Sequence, residues 1–206
     1  MSNIKIEYLF PSQIVMGKVE NFENIKSDLI KWVYEYKKSN PEVDAISNIN
    51  AWQSLSKEVF LDDGFKPFQD NIVNVLKDLV SEYKINGEVK LVQMWINING
   101  PHSYNVSHRH PGCHLSGCFW IKCPPNSGRF VFDNMDNGYR DYELLHSTNI
   151  NHLIEKNMVL EYAPDNQDGN IMLFPASLTH RVELNECDED RISLGFNLKI
   201  ENVYLY

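Results

Sequence analysis

Glu88-Val89-Lys90-Leu91-Val92-Gln93-Met94-Trp95-Ile96-Asn97-Ile98 is the stretch that decides the fold. Before it, apolar residues recur every three or four positions. Within it the period becomes two, the change from helix to strand. Shorter strand-like runs follow at residues 114–122, 129–133, 158–162, 170–174, 180–184 and 192–200, each set off by Gly, Pro, Asn or Asp. Short strands spaced in this way predict an antiparallel sandwich or closed barrel.

Upstream, Phe22, Ile25, Leu29, Ile30, Trp32, Val33 and Tyr36 lie on one stripe of a helix over residues 21–38, with Pro41 beyond its end. Phe68, Ile72, Val75, Leu76, Leu79 and Val80 mark a second helix over 67–83. Residues 47–64 give mixed signals and a short helix at most. Helices first and strands second predict an α+β fold with N-terminal helices packed on one sheet. The expected organisation is a single domain, with 1–87 as helical support and 88–206 as the β core. The polar segment 134–157 exceeds the usual connection length and reads as a functional loop or lid.

The chain has 206 residues, 43% hydrophobic and 12% aromatic, enough for one compact core. Its 19 Lys and Arg against 28 Asp and Glu give a net charge of −9, so non-specific nucleic-acid binding is not expected. No window holds the roughly 20 apolar residues of a membrane span, and Met1-Ser2-Asn3-Ile4-Lys5 lacks the layout of a secretory signal. The expected location is the cytoplasm. Cys113, Cys118, Cys123 and Cys187 form no C-x-x-C pair and read as reduced thiols.

Four of the seven histidines, His102, His108, His110 and His114, fall within thirteen positions. In an extended segment His108 and His110 share a face, so both imidazoles can converge on one ion. Imidazole suits zinc, copper, iron and nickel, and three protein ligands with open positions mark non-haem ferrous oxygenases. His180, at the end of the apolar run Ile171-Met172-Leu173-Phe174-Pro175 and its turn, is the candidate third ligand. If residues 185–190 form a hairpin, then His180, Val182, Arg191 and Ser193 point to one side of one sheet. His180 and Arg191 would then be roughly 13 Å apart along the strands. That gap suits a small dicarboxylate, chelating a metal at one end and pairing with the Arg191 guanidinium at the other, with Ser193 adding a hydroxyl.

The run Tyr104-Asn105-Val106-Ser107-His108-Arg109-His110-Pro111, then Leu115-Ser116-Gly117-Cys118-Phe119-Trp120, Pro124-x-x-Ser127-Gly128, Leu173-Phe174-Pro175-x-x-x-x-His180 and Arg191-Ile192-Ser193-x-x-Phe196-Asn197 resembles the 2-oxoglutarate and iron(II)-dependent oxygenases of bacteria and phages. Ser47-Asn48 with Ala51-Trp52-Gln53-Ser54 is also similar to that family, so the likeness runs from about residue 47 to 197. The resemblance implies a double-stranded β-helix, the jelly roll or cupin-like fold, with Fe(II) at one mouth and 2-oxoglutarate as co-substrate. His108 and His180 match the two histidine ligands, and Arg191 with Ser193 matches the pair that holds the distal carboxylate of 2-oxoglutarate. The location it implies is the cytoplasm, the host's if the chain is phage-encoded.

One position departs from the family. His110 stands where an Asp or Glu ligand is usual, which leaves the site one unit more positive. Two choices follow: a three-histidine site, or a carboxylate such as Asp133 brought in from a neighbouring strand. Tyr104, Asn105, Ser116 and Trp120 are further candidates to line the pocket and bind co-substrate carboxylates. Gly117 and Gly128 read as close-packing positions.

The implied activity is a dioxygenase, a hydroxylase that couples 2-oxoglutarate decarboxylation to substrate oxidation. The alternatives are a three-histidine cupin-type dioxygenase without co-substrate, which has no need of Arg191, and a non-catalytic jelly-roll binding module. A small-molecule and a peptidyl substrate are equally compatible with the sequence. The two helices offer a face for a homodimer.

Overall fold

A computed structural model describes residues 12–203 apart from 45, 56 and 135–160. Helix α1 spans Phe22–Ser39 and α2 spans Lys66–Glu82, within a residue of the helices expected from the apolar stripes. Asn21, in the left-handed region at φ 53°, turns the chain into α1. Pro67 sits in the first turn of α2, where its missing N–H leaves no intrahelical bond unmade. Between the helices lie two-residue strands and one 3₁₀ turn, Val59–Leu61. No helix among the described residues is long and apolar enough to cross a membrane.

The eleven described strands are β1 Val15–Lys18, β2 Asn48–Ile49, β3 Trp52–Gln53, β4 Glu88–Asn99, β5 Tyr104–His108, β6 Leu115–Lys122, β7 Phe130–Asp133, β8 Glu161–Tyr162, β9 Asn170–Pro175, β10 His180–Val182 and β11 Arg191–Glu201. They form a six-stranded sheet in the order β1-β9-β6-β11-β4-β3 and a five-stranded sheet in the order β2-β5-β10-β7-β8. All pairings between named strands are antiparallel. This is the expected double-stranded β-helix. Of the expected lid, 134–157, only Asn134 lies within the described residues, and of the expected strand 158–162 only β8 does.

The six-stranded sheet is covered on both faces, and the period of two sorts its residues between them. Met94, Ile96 and Ile98 of β4 and Ile192, Leu194 and Phe196 of β11 join Phe22, Leu29, Val33, Ile72 and Leu79 of the helices in one fully buried cluster. The helices therefore pack on this sheet, α2 over β1 and β9 and α1 over β6. The alternating residues turn inward between the sheets. There Trp120, Phe130, Phe132, Met172, Phe174 and Val182 form a second apolar cluster beside a cavity.

One expectation about connection is overturned. The turn 185–190 is not a hairpin: β10 lies in the five-stranded sheet between β5 and β7, whereas β11 lies in the six-stranded sheet between β6 and β4. Periodicity fixes the faces of a strand but not the sheet it joins. The turn instead crosses from one layer to the other, held by buried Asn185. Its Nδ2 donates to the carbonyls of Asn99 (2.9 Å) and Glu189 (2.8 Å), and its Oδ1 accepts the N–H of Cys187 at 3.0 Å. His180 and Arg191 thus face each other across the sandwich.

Candidate metal centre

The three histidines singled out from the sequence meet at one end of the inter-sheet cavity. His108 closes β5 and is paired in register with His180, the first residue of β10. His110 follows the end of β5, with its N–H on the Ala176 carbonyl at 3.0 Å. One ring nitrogen from each lies within 4.8 Å of the others, and Nε2 of His110 is 3.2 Å from Nε2 of His180. His108 and His180 turn Nδ1 to backbone carbonyls, of Val106 at 2.8 Å and Leu178 at 2.9 Å. A proton held there on Nδ1 leaves the Nε2 lone pair free, as a metal-binding imidazole requires.

The surroundings favour neutral rings. His180 is stacked on Phe130 at 5.0 Å and packed edge-on against Phe174, also at 5.0 Å. Burial holds all three histidines below the ordinary imidazole value: His180 far below, and His110 down to about 4, with help from the charges of His108 and Lys57. Three ordinary imidazoles near pKa 6.5 would lose about 50-fold in metal affinity between pH 7.5 and pH 6.0 by proton competition. Here burial lowers all three, so affinity is expected to fall by much less than that over the interval. The unfolded chain takes up protons from about pH 6.5, so metal-free stability falls as the pH drops below that value. Cobalt(II) titrations at pH 7.5 and 6.0 check this, and a 50-fold difference would refute it.

Across the cavity stands Arg191. It is 3% exposed, its Nε is buried without a partner among the described residues, and its Nη1 donates to the Gly128 carbonyl at 3.2 Å. Gly128 has φ 88°, and a Cβ there would come within 2.2 Å of the Glu183 carbonyl oxygen, so only glycine presents that carbonyl. Among the described residues Arg191 feels the Cys118 and Cys123 thiols, which burial pushes up and so keeps uncharged. A buried guanidinium stays protonated, and one without a carboxylate is costly unless an anion joins it. Ser193, 5% exposed, lines the same cavity of about 520 Å³.

The remaining expected residues divide. Asn105 is buried in the cavity wall and bonded to Asn48, with Asn99 donating to its Oδ1 at 3.1 Å. Ser116 lines the cavity with its hydroxyl on the Phe196 carbonyl at 3.2 Å, and Trp120 lines it 1% exposed. Tyr104 does not reach it. On β5 it alternates with Asn105, pairs with Ile49 and is 36% exposed, so its ring faces out. Asp133 is also turned away, since it alternates with Phe132. Its carboxylate is paired with Arg181 and accepts the Ser107 hydroxyl at 2.8 Å. Of the two choices for the third donor, the fold brings in His110.

Sequence reasoning passed over Lys57, Gln93, Trp95, Asn97 and Asn197, all of which line the cavity. The signal was present in β4: Gln93 and Asn97 stand two positions either side of Trp95, alternating with Met94, Ile96 and Ile98. Polar residues at every second place of an apolar strand mark the face that looks into a polar cavity. Trp95 leans over Gly195, where a Cβ would fall 2.4 Å from the indole, and its ring lies 5.7 Å from that of His110.

A double-stranded β-helix with three converging imidazoles at one mouth and a buried guanidinium opposite is the arrangement of a non-haem metal oxygenase. Residues 93–197, half of the chain, match the sequence pattern of the 2OG-Fe(II) oxygenases, and the protein belongs to that family, with iron(II) as its metal and 2-oxoglutarate as its co-substrate. Solved structures agree in fold at low identity. HygX from Streptomyces hygroscopicus, with nickel and 2-oxoglutarate bound, superposes with a TM-score of 0.59 at 10% identity over 93% of this chain and 84% of that one. A Pseudomonas putida prolyl-4-hydroxylase gives 0.60 at 8% identity over 91% and 93%. A Trichoplax adhaerens prolyl hydroxylase in complex with a hypoxia inducible factor peptide gives 0.62 at 10% over 91% and 84%. No curated protein sequence matches the chain.

Proposed function

We propose that this chain is a hydroxylase in which His108, His110 and His180 hold Fe(II) while Arg191 and Ser193 hold the distal carboxylate of 2-oxoglutarate. The observation that carries the reading is Arg191, a buried cation that has no acidic partner among the described residues of the cavity that the three imidazoles close. Bound together, the two groups supply the oxidising chemistry: dioxygen and 2-oxoglutarate become succinate and carbon dioxide while a substrate C–H becomes C–OH.

The chain's own part is orientation and exclusion of water. The Gly128 carbonyl fixes the guanidinium, and the carbonyls of Val106 and Leu178 fix two of the imidazoles. Phe130, Phe174 and Trp120 keep the space between dry, which strengthens each charge contact inside it. Asn105 and Ser116 act as wall residues whose polar atoms are already engaged within the protein. We place the protein in the cytoplasm, a reading supported by its four free thiols.

Anaerobic addition of Fe(II) and then 2-oxoglutarate to metal-free protein is expected to produce the visible charge-transfer band of the chelated complex. Iron binding with no response to 2-oxoglutarate would replace this reading with a three-histidine dioxygenase that needs no co-substrate.

A further inference from the structure

We propose that the substrate is an organic anion, carboxylate or phosphate, whose charged group docks at Lys57 at the end of the cavity remote from Arg191. This rests on the reading of the cavity as a 2OG-Fe(II) oxygenase site.

The chain carries a net charge of −9, yet among the described residues no Asp or Glu lines the cavity, and the charged side chains that do are Lys57, Arg109 and Arg191. The metal ligands add no negative charge, because all three are imidazoles. Iron(II) and the 2-oxoglutarate dianion cancel, so Arg191 leaves the loaded site at +1. A cationic substrate meets repulsion there, and a neutral one leaves the excess uncompensated in a partly dry cavity.

Position separates two anion sites. Arg191 is paired in register with Asn99, and Asn197 with Gln93, at opposite ends of the same stretch of β11 and β4. Six residues of strand, roughly 20 Å, lie between them. Lys57 belongs to the Gln93 end: its carbonyl accepts the N–H of Met94 at 2.7 Å, and its charge is felt by His110. The imidazoles stand between, beside Trp95. One five-carbon diacid does not span both cations, so the anion held by Arg191 does not reach Lys57. Asp44 pairs with Lys57 at 3.5 Å but does not line the cavity, so it steadies the ammonium without filling the space in front of it. Arg109 lies at the rim, with Nε on the Thr179 hydroxyl at 2.6 Å. Trp95 offers a flat wall for the body of the substrate, and Gln93 and Asn197, joined by a 2.7 Å bond, offer amides beside it.

The test uses the Fe(II) and 2-oxoglutarate complex under anaerobic conditions, titrated with four probes that share one ring: benzoate, phenyl phosphate, benzamide and benzylamine. Saturable shifts of the charge-transfer band are expected with one or both anions and not with the amide or the amine, and the tighter anion identifies carboxylate or phosphate as the group recognised. Lys57→Met is expected to weaken that response about tenfold or more, and Lys57→Arg to keep it. The variants' own 2-oxoglutarate bands report that their sites are intact. Silence to both anions, equal response to the neutral or cationic probe, a response unchanged in Lys57→Met, or loss of the band through displacement at Arg191 each overturns the proposal. Absence of the band before any probe is added overturns the site itself, and the proposal with it.

Discussion

Replacing Arg191 by methionine is expected to weaken 2-oxoglutarate binding about 100- to 1,000-fold, the cost of removing one partner from a buried charge pair. The same substitution is expected to make the metal-free protein more stable. Without ligand, Arg191 is a buried cation with, among the described residues, one carbonyl acceptor and an unpartnered Nε. Methionine matches its length without the desolvation cost, and the melting temperature should rise by roughly 3–6 °C. Thermal melts with and without 2-oxoglutarate and Fe(II) read both effects at once. A destabilised variant, or one that binds the co-substrate normally, would show that the guanidinium serves the fold rather than the ligand.

The second large effect is expected at His180. Its ring lies among Phe130, Phe132 and Phe174, so phenylalanine at this position keeps the packing while removing the donor atom. His180→Phe should fold with a melting temperature close to that of the parent and lose Fe(II) affinity by well over about 100-fold, more than the 10- to 100-fold typical of losing a residue that only orients a ligand. His180→Ala should lose the metal too, but at a further cost of about 2–4 kcal/mol in stability for the cavity it leaves. Isothermal titration with Co(II) together with thermal melts separates the two. Retained metal binding in His180→Phe would remove His180 from the ligand set.

Much of the arrangement was legible in the chain. The 3.6-residue stripes of Phe22 to Tyr36 and Phe68 to Val80 and the period of two after Glu88 located the long elements, because each buries one continuous apolar face. Strands β1, β2 and β3 were not legible: four or two residues are too few to show a period, and their pairing partners lie far off in sequence. His108, His110, His180, Arg191 and Ser193 were found by residue type, yet the geometry assumed for the last three was wrong. A period of two says that Arg191 and Ser193 share a face but not which layer that face belongs to. Tyr104 was drawn in by its place beside Asn105, and alternation sent it outward.

The crossing at residues 185–190 divides the centre between two layers. His108 and His180 are fixed to the five-stranded sheet, and Arg191 and Ser193 to the six-stranded sheet. Metal affinity and diacid affinity are therefore properties of separate plates, and only their spacing makes them one site. A substitution that thickens or thins the sandwich, even one remote from every donor atom, changes the gauge of the slot rather than the chemistry of either wall. Selection on the length of acid accepted can act through packing residues such as Met172 and Phe174, which set how far apart the plates stand.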